Sequence, residues 1–199
     1  MHDLHDGYTQ FRTSVYPDKA QLFSRLATEH RPRTLFISCS DARVVPELIT
    51  QSEPGELFVI RTAGNLVPAF APGADGVTAS IEYAVAVLGV SDVVVCGHTA
   101  CGAMTALAEG HDLGAAPVIA DWLRHADAAR ARAAALPEAG AGDRVTTLVR
   151  ANVAAQLQNL ATHPSVARSM TQGVLTLHGW VFDIVTGTVE NIGDAMGVS

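Results

Sequence analysis

Three short apolar runs constrain the fold of this chain more than any other feature. They lie at 34–38, 57–60 and 93–96, and each is short enough to be one buried strand. Between the second and third runs, residues 77–88 carry apolar side chains at helical spacing and end at Gly89, a residue that suits a helix C-terminus. Strands that alternate with helices predict an α/β fold with a mostly parallel central sheet flanked by helices.

The first thirty residues follow a different pattern. Residues 8–30 have apolar side chains at helical spacing, which predicts two amphipathic helices that separate near Pro17. We expect residues 1–30 to form an N-terminal helical arm and residues 31–199 to form a single α/β domain.

A further helix and a hairpin are predicted toward the C-terminus. Asp143 can cap a helix that has Leu148 on its apolar face. The runs 174–177 and 181–184 are strand-like, and a turn at Thr186-Gly187 follows them. This order predicts a C-terminal strand hairpin.

Charge and composition exclude some classes of partner. The chain has 20 acidic and 13 basic residues and a formal net charge of −7, which argues against binding to nucleic acid. No run approaches the roughly 18 apolar residues of a membrane span. The N-terminus has no pattern of a signal peptide, so we expect a cytoplasmic protein whose three cysteines are thiols or metal ligands.

Three potential metal ligands directly follow two of the predicted strands. Cys39 comes after the first, and His98 and Cys101 come after the third. In an open parallel sheet the carboxyl ends of the strands gather ligands, so these side chains can meet. Two cysteines and one histidine with an open fourth position form a catalytic zinc arrangement, and sulfur ligands disfavour magnesium and calcium. On spacing alone Cys96 competes as a ligand, but it ends an apolar run and is typical of a core thiol.

Longer motifs around these residues resemble those of the β-class carbonic anhydrases. They are Cys-Ser-Asp-Ala-Arg at 39–43, Glu-Pro-Gly-Glu-Leu-Phe-Val-Ile-Arg-Thr-Ala-Gly-Asn at 53–65, Ile-Glu-Tyr-Ala-Val at 81–85, Cys-Gly-His-Thr-Ala-Cys-Gly at 96–102 and His-Gly-Trp-Val-Phe-Asp at 178–183. The resemblance covers nearly the whole chain and is closest to the bacterial branch that includes the enzyme accompanying cyanase.

The resemblance implies an activity, a cofactor and an assembly. Zn²⁺ is expected on Cys39, His98 and Cys101, with water in the fourth position, and carbon dioxide is hydrated to bicarbonate and a proton. Residues 31–199 are then the zinc-binding catalytic domain, and residues 1–30 pack against another subunit in a homodimer or a larger homo-oligomer. Two thiolates neutralise the metal charge, so the bound water is less acidic than in a three-histidine site and activity should rise toward alkaline pH.

Asp41 and Arg43 have roles by the same resemblance. Asp41 accepts a hydrogen bond from zinc-bound hydroxide and orients it toward carbon dioxide, and Arg43 keeps Asp41 ionised. The alternative is an ordinary surface ion pair, which contributes little. In some relatives the aspartate ligates zinc in a closed, inactive form.

Further positions match the family's small substrate cavity. Phe58, Ala63, Tyr83 and Gly102 are expected to line it, although core packing is the commoner role of an aromatic side chain. His30 stands where plant-type members usually have glutamine, and it is a candidate for removing a proton; a histidine at a helix end is an equally good interpretation.

Two other departures concern inhibition. Phe36 and Ser38 replace the tryptophan and glycine of an inhibitory bicarbonate pocket found in some bacterial relatives, so we expect no such pocket here. Two alternative functions stay open: a zinc hydrolase of carbonyl sulfide or carbon disulfide on the same fold, and an inactive zinc-binding homologue.

Overall fold

The computed structural model describes residues 3–73, 75–136 and 141–195. It divides into two compact units, Met1–Arg31 and Pro32–Ser199. Within the described residues, no helix is long and apolar enough to cross a membrane.

The N-terminal unit is continuously helical from Leu4 to Leu26. Helix α1 (Leu4–Gln10) continues through a π-helical segment (Phe11–Val15) into α2 (Tyr16–Leu26). The expected separation near Pro17 does not occur, because Tyr16 keeps right-handed helical dihedral angles and its backbone N–H donates to the carbonyl of Phe11. Proline has no N–H group and its ring crowds the preceding turn, and a wider five-residue turn just before it accommodates both.

The second unit is built on a five-stranded sheet. Its strands are β1 (Thr34–Cys39), β2 (Leu57–Thr62), β3 (Asp92–His98), β4 (Thr176–Phe182) and β5 (Val189–Ala195). Their order in the sheet is β2-β1-β3-β4-β5. The first four strands in this order run parallel, and the last pairs antiparallel with its neighbour. The predicted fold class, with its helical N-terminus and C-terminal hairpin, is confirmed.

Among the described residues of this unit, seven α-helices flank or connect the strands. Gly89 ends the second of them with a left-handed φ of 70°, as the sequence predicts. The helices are α3 (Pro46–Thr50), α4 (Gly76–Glu82, continued by a π-helical segment over Tyr83–Leu88), α5 (Gly102–Glu109), α6 (Pro117–Trp122), α7 (Asp127–Ala134), α8 (Ala141–Ala161) and α9 (Pro164–Thr171).

Two predicted boundaries were wrong. Asp143 lies inside the first turn of α8 and does not precede it. Parts of the runs 174–177 and 181–184 belong to one strand, β4 (Thr176–Phe182), because the intervening His178-Gly179-Trp180 continues both the extended backbone and the pairing with β3.

The sheet buries both of its faces, as a parallel sheet must. Side chains such as Leu35, Ile37 and Val95 face the larger core, and Phe36, Val94 and Cys96 alternate with them toward a smaller one. Helix α8 lies against the larger face so closely that a Cβ atom at Gly97 would come 2.8 Å from a methyl group of Val153. Glycine at position 97 therefore permits the approach that brings α8 to the end of β3.

Candidate metal centre

Three buried ligand atoms meet at the carboxyl end of the sheet. Cys39 is the last residue of β1, His98 is the last residue of β3, and Cys101 precedes the first turn of α5. β1 and β3 are parallel neighbours, so their ends lie side by side. The ligand atoms all lie within 4.8 Å of one another. Residues 59 positions apart in the sequence thus form one group that could hold a metal ion.

The ring of His98 is oriented for a ligand. Its Nδ1 lies 2.9 Å from the carbonyl oxygen of Thr99. A carbonyl can only accept, so Nδ1 has the proton and Nε2 offers a lone pair. That Nε2 is buried and has no hydrogen-bond partner among the described residues. Because a buried polar atom without a partner is costly, this nitrogen fits a metal.

The two thiols differ in proton affinity. A hydrogen bond from the Cys101 thiol lowers the pKa of Cys39 against the opposing effect of burial. The neighbouring Cys39 sulfur and burial together raise the pKa of Cys101. Two thiolates at this distance need a cation between them, and two sulfurs with one imidazole are a donor set that zinc accepts.

Cys96 lies outside this group. Its side chain is buried on the smaller face of the sheet, and burial raises the pKa of its thiol to about 12. Its sulfur lies 3.4 Å from the carbonyl oxygen of Gly97, to which it donates. It is therefore a core thiol, which was the preferred interpretation of the sequence.

Asp41 and Arg43 form a close ion pair beside the three ligands. Arg43 donates from Nε to Asp41 Oδ1 at 2.9 Å and from Nη2 to Oδ2 at 2.6 Å, and its backbone N–H also donates to Oδ1. The side-chain hydrogen bonds of Arg43 hold the pKa of Asp41 well below its usual range. Asp41 Oδ2 lies 3.9 Å from His98 Nε2, so the carboxylate lies beside the ligand group without bonding to that nitrogen.

The loops that contain the ligands are bonded to one another. Arg43 Nη2 also donates to the carbonyl of Ala100, which has a left-handed φ of 53° between two of the ligands. Arg61 donates to the carbonyls of Cys39, Asp41 and Val44 at 3.1, 2.6 and 2.7 Å. Arg61 thus shapes the loop after β1.

The positions expected to bind substrate differ in their surroundings. The rings of Phe58 and Tyr83 are 6.0 Å apart at an angle of 47°. Ala63 borders a cavity of about 570 Å³ beside the loop after β1. Gly102 is the exposed first residue of α5, and His30 is an exposed residue of the N-terminal unit.

Three amide side chains of α8 had no predicted role, although they contact the segment after β2. They lie on the buried side of the helix, where Asn152 bonds to Gly64 and where Gln156 and Asn159 bond to Val67. The sequence signal is three amides at spacings of four and three residues within an otherwise apolar helix face.

Comparisons with known proteins identify the family of this chain. Residues 34–189 match the family model described as carbonic anhydrase. A carbonic anhydrase of Pseudomonas aeruginosa is 56% identical over 98% of this chain and 89% of its own length. The solved structure of the β-carbonic anhydrase CcaA matches with a TM-score of 0.88 and 39% identity, over 94% of this chain and 92% of its own.

A second solved structure adds information on assembly. It is one of two tetrameric β-carbonic anhydrases from Sordaria macrospora, with a TM-score of 0.81 and 31% identity over 96% of each chain. The family model matches far more than half of the chain, and the curated relatives and solved structures agree with it. This chain therefore belongs to the β-class carbonic anhydrases.

Proposed function

We propose that this enzyme catalyses the zinc-dependent reversible hydration of carbon dioxide to bicarbonate and a proton. One observation supports this most: His98 Nε2, which has no hydrogen-bond partner in the described part of the chain, lies beside two cysteine sulfurs and 3.9 Å from a carboxylate that Arg43 keeps ionised. A purely structural zinc site has no need for such a carboxylate.

Cys39, His98 and Cys101 would hold the ion through Sγ, Nε2 and Sγ. When bound, zinc is a Lewis acid that makes water a nucleophile near neutral pH. The remaining work belongs to the side chains around it. The carbonyl of Thr99 fixes the tautomer of His98, and Arg61 fixes the loop between β1 and Asp41.

Asp41 is proposed as the catalytic acceptor. An ionised carboxylate can only accept hydrogen bonds, so a hydroxyl group beside it must point its proton at Asp41 and a lone pair elsewhere. Three hydrogen bonds from Arg43 prevent the carboxylate from rotating. Holding a nucleophile in one orientation is a recognised part of catalysis at a preorganised site.

Substrate binding and assembly are further parts of the proposal. Carbon dioxide is small and apolar, and the half-buried Phe58 and Ala63 offer apolar surface, with Tyr83, Gly102 and His30 as the other proposed contacts.

Because the relative from Sordaria macrospora is tetrameric, we propose that this chain forms a homodimer or a larger homo-oligomer in the cytoplasm. Residues 1–30 would contribute to that packing.

Stopped-flow measurement of carbon dioxide hydration tests the proposal. Protein with one zinc per chain should be active, chelation should abolish the activity, and added zinc should restore it. Absence of hydration from fully zinc-loaded protein would contradict the proposal. Faster hydrolysis of carbonyl sulfide than hydration of carbon dioxide would favour the alternative hydrolase.

A further inference from the structure

The turn after β2 has an unusual backbone that needs support. Gly64 and Asn65 are consecutive residues in the left-handed region, with φ values of 72° and 49°. Glycine tolerates this conformation, but an asparagine there costs on the order of 1 kcal/mol. Such a conformation persists only where the surroundings impose it.

Helix α8 provides that support through its buried amides. Asn152 Nδ2 donates to the carbonyl of Gly64 at 3.0 Å, and Asn152 Oδ1 accepts from Gln156 Nε2 at 2.9 Å. Gln156 Oε1 accepts from the backbone N–H of Val67, and Asn159 Nδ2 donates to the carbonyl of Val67. Asn152 and Gln156 are fully buried, so these bonds are protected from water.

The turn contacts both cysteine ligands or their immediate neighbours. The backbone N–H of Gly64 donates to Cys39 Sγ at 3.4 Å. A Cβ atom at Gly64 would lie 3.1 Å from side-chain atoms of Ala103 and Met104, in the first turn of the helix that follows Cys101. The position of Gly64 therefore affects both the Cys39 sulfur and the first turn of the helix that follows Cys101.

We propose that Asn152 is a positioning residue of the metal centre, which holds the Gly64 carbonyl so that the Gly64 N–H group points at the Cys39 sulfur. The inference rests on the proposed zinc enzyme. An N–H···S hydrogen bond stabilises negative charge on a thiolate and fixes its direction. Loss of a bond in this outer shell typically lowers metal affinity by roughly 10- to 100-fold.

Asn152→Leu tests the proposal, with Asn159→Leu as its matched control. Both changes remove one amide of the same helix, but only the first removes the bond to Gly64. Zinc affinity is measured by competition with a chromophoric chelator. The energy of the sulfur-to-metal charge-transfer band is measured in the Co²⁺-substituted protein.

For Asn152→Leu we expect zinc to bind at least about 10-fold more weakly and the Co²⁺ band to shift to lower energy, because the sulfur loses a donor. For Asn159→Leu we expect both readouts to stay near those of the natural chain, while the unfolding midpoint falls. The shorter Asn152→Ser replaces Asn152→Leu if the leucine variant does not fold.

Unchanged affinity and band in a folded Asn152 variant would overturn the inference, as would equal changes in the Asn159 variant. The natural chain in the same experiment separates this outcome from failure of the proposed function. If it binds zinc but does not hydrate carbon dioxide, the proposed function fails, and the affinity and band comparison still decides the role of Asn152.

Discussion

Two histidines at opposite ends of one sheet lie near aspartates, and only one of them belongs to the candidate site. At the amino end, His178 Nε2 lies 3.0 Å from Asp92 Oδ1, and Asp92 Oδ2 also accepts from Ser91 Oγ at 2.7 Å. At the carboxyl end, His98 Nε2 has no hydrogen-bond partner among the described residues.

The difference teaches which feature of a histidine indicates function. A bonded and partly exposed pair of histidine and aspartate, with side chains 25% and 26% exposed, needs nothing else. A fully buried ring nitrogen with an unused lone pair, next to two sulfurs, needs a ligand. Proximity to an aspartate alone does not distinguish the two ends.

Substitution of His98 should have the largest effect. His98→Ala removes the only nitrogen ligand of the group, so zinc content should fall well below one per chain and activity should drop by roughly 10³-fold or more. Metal analysis and stopped-flow hydration measure both. The matched change His178→Ala should leave both near normal, and an equal loss in the two variants would break the comparison.

Substitution of Asp41 should have the next largest effect. Asp41→Asn keeps the shape but removes the ionised acceptor, so kcat should fall about 10²-fold while zinc content stays unchanged. Arg43→Ala should cause a smaller loss, because the carboxylate stays but is no longer held. Unchanged kcat in the Asp41 variant would show that the ion pair has only a structural role.

At the amino end of the sheet, we expect substitution of His178 to change the stability of the fold and not the activity. Although burial raises the pKa of Asp92, hydrogen bonds from Ser91 and His178 lower it overall. A carboxyl group whose pKa is lower in the folded than in the unfolded chain stabilises the folded state at any pH above its unfolded pKa of about 3.9. This contribution is lost as the pH falls through the pKa of the folded state. His178→Ala should therefore lower the free energy of unfolding by about 1 kcal/mol at neutral pH. Urea titrations should show this difference shrinking below about pH 4, and a difference that grows there would contradict the assignment.

Substitution of His30 should have the smallest effect. If it removes a proton during turnover, His30→Gln should lower kcat by about 2- to 5-fold and change kcat/KM less, and small imidazole buffers should restore kcat. His111→Gln, at another exposed histidine, is the control. Unchanged kinetics in weak buffer would leave His30 as an ordinary residue after a helix.

Local patterns predicted the fold well where the causes are local. The apolar runs became β1, β2 and β3, and Gly89 ended its helix, since burial and a left-handed cap are visible within a few residues. The π-helical segment before Pro17 was not predicted, because a wider helical turn is only one of several ways in which a helix can accommodate a proline.

The site was predicted in a similar way. Cys39, His98 and Cys101 follow strands, so the rule on strand ends brings them together, and the family motifs suggested Asp41 and Arg43. The bond from Asn152 to Gly64 joins residues 88 positions apart. It depends on the rotation of α8 about its axis and on the close approach at Gly97, neither of which a single sequence specifies.

The register of β1 against β3 has a consequence for the order of assembly. His98 and Cys101 are three residues apart, so an ion can contact both as soon as that segment exists, whereas Cys39 arrives only when the two strands pair. Long-range pairing of this kind is slow compared with local helix formation. During synthesis, the three-ligand site cannot form before residue 101 has left the ribosome. Binding of a metal ion by all three ligands therefore requires that β1 and β3 have already paired.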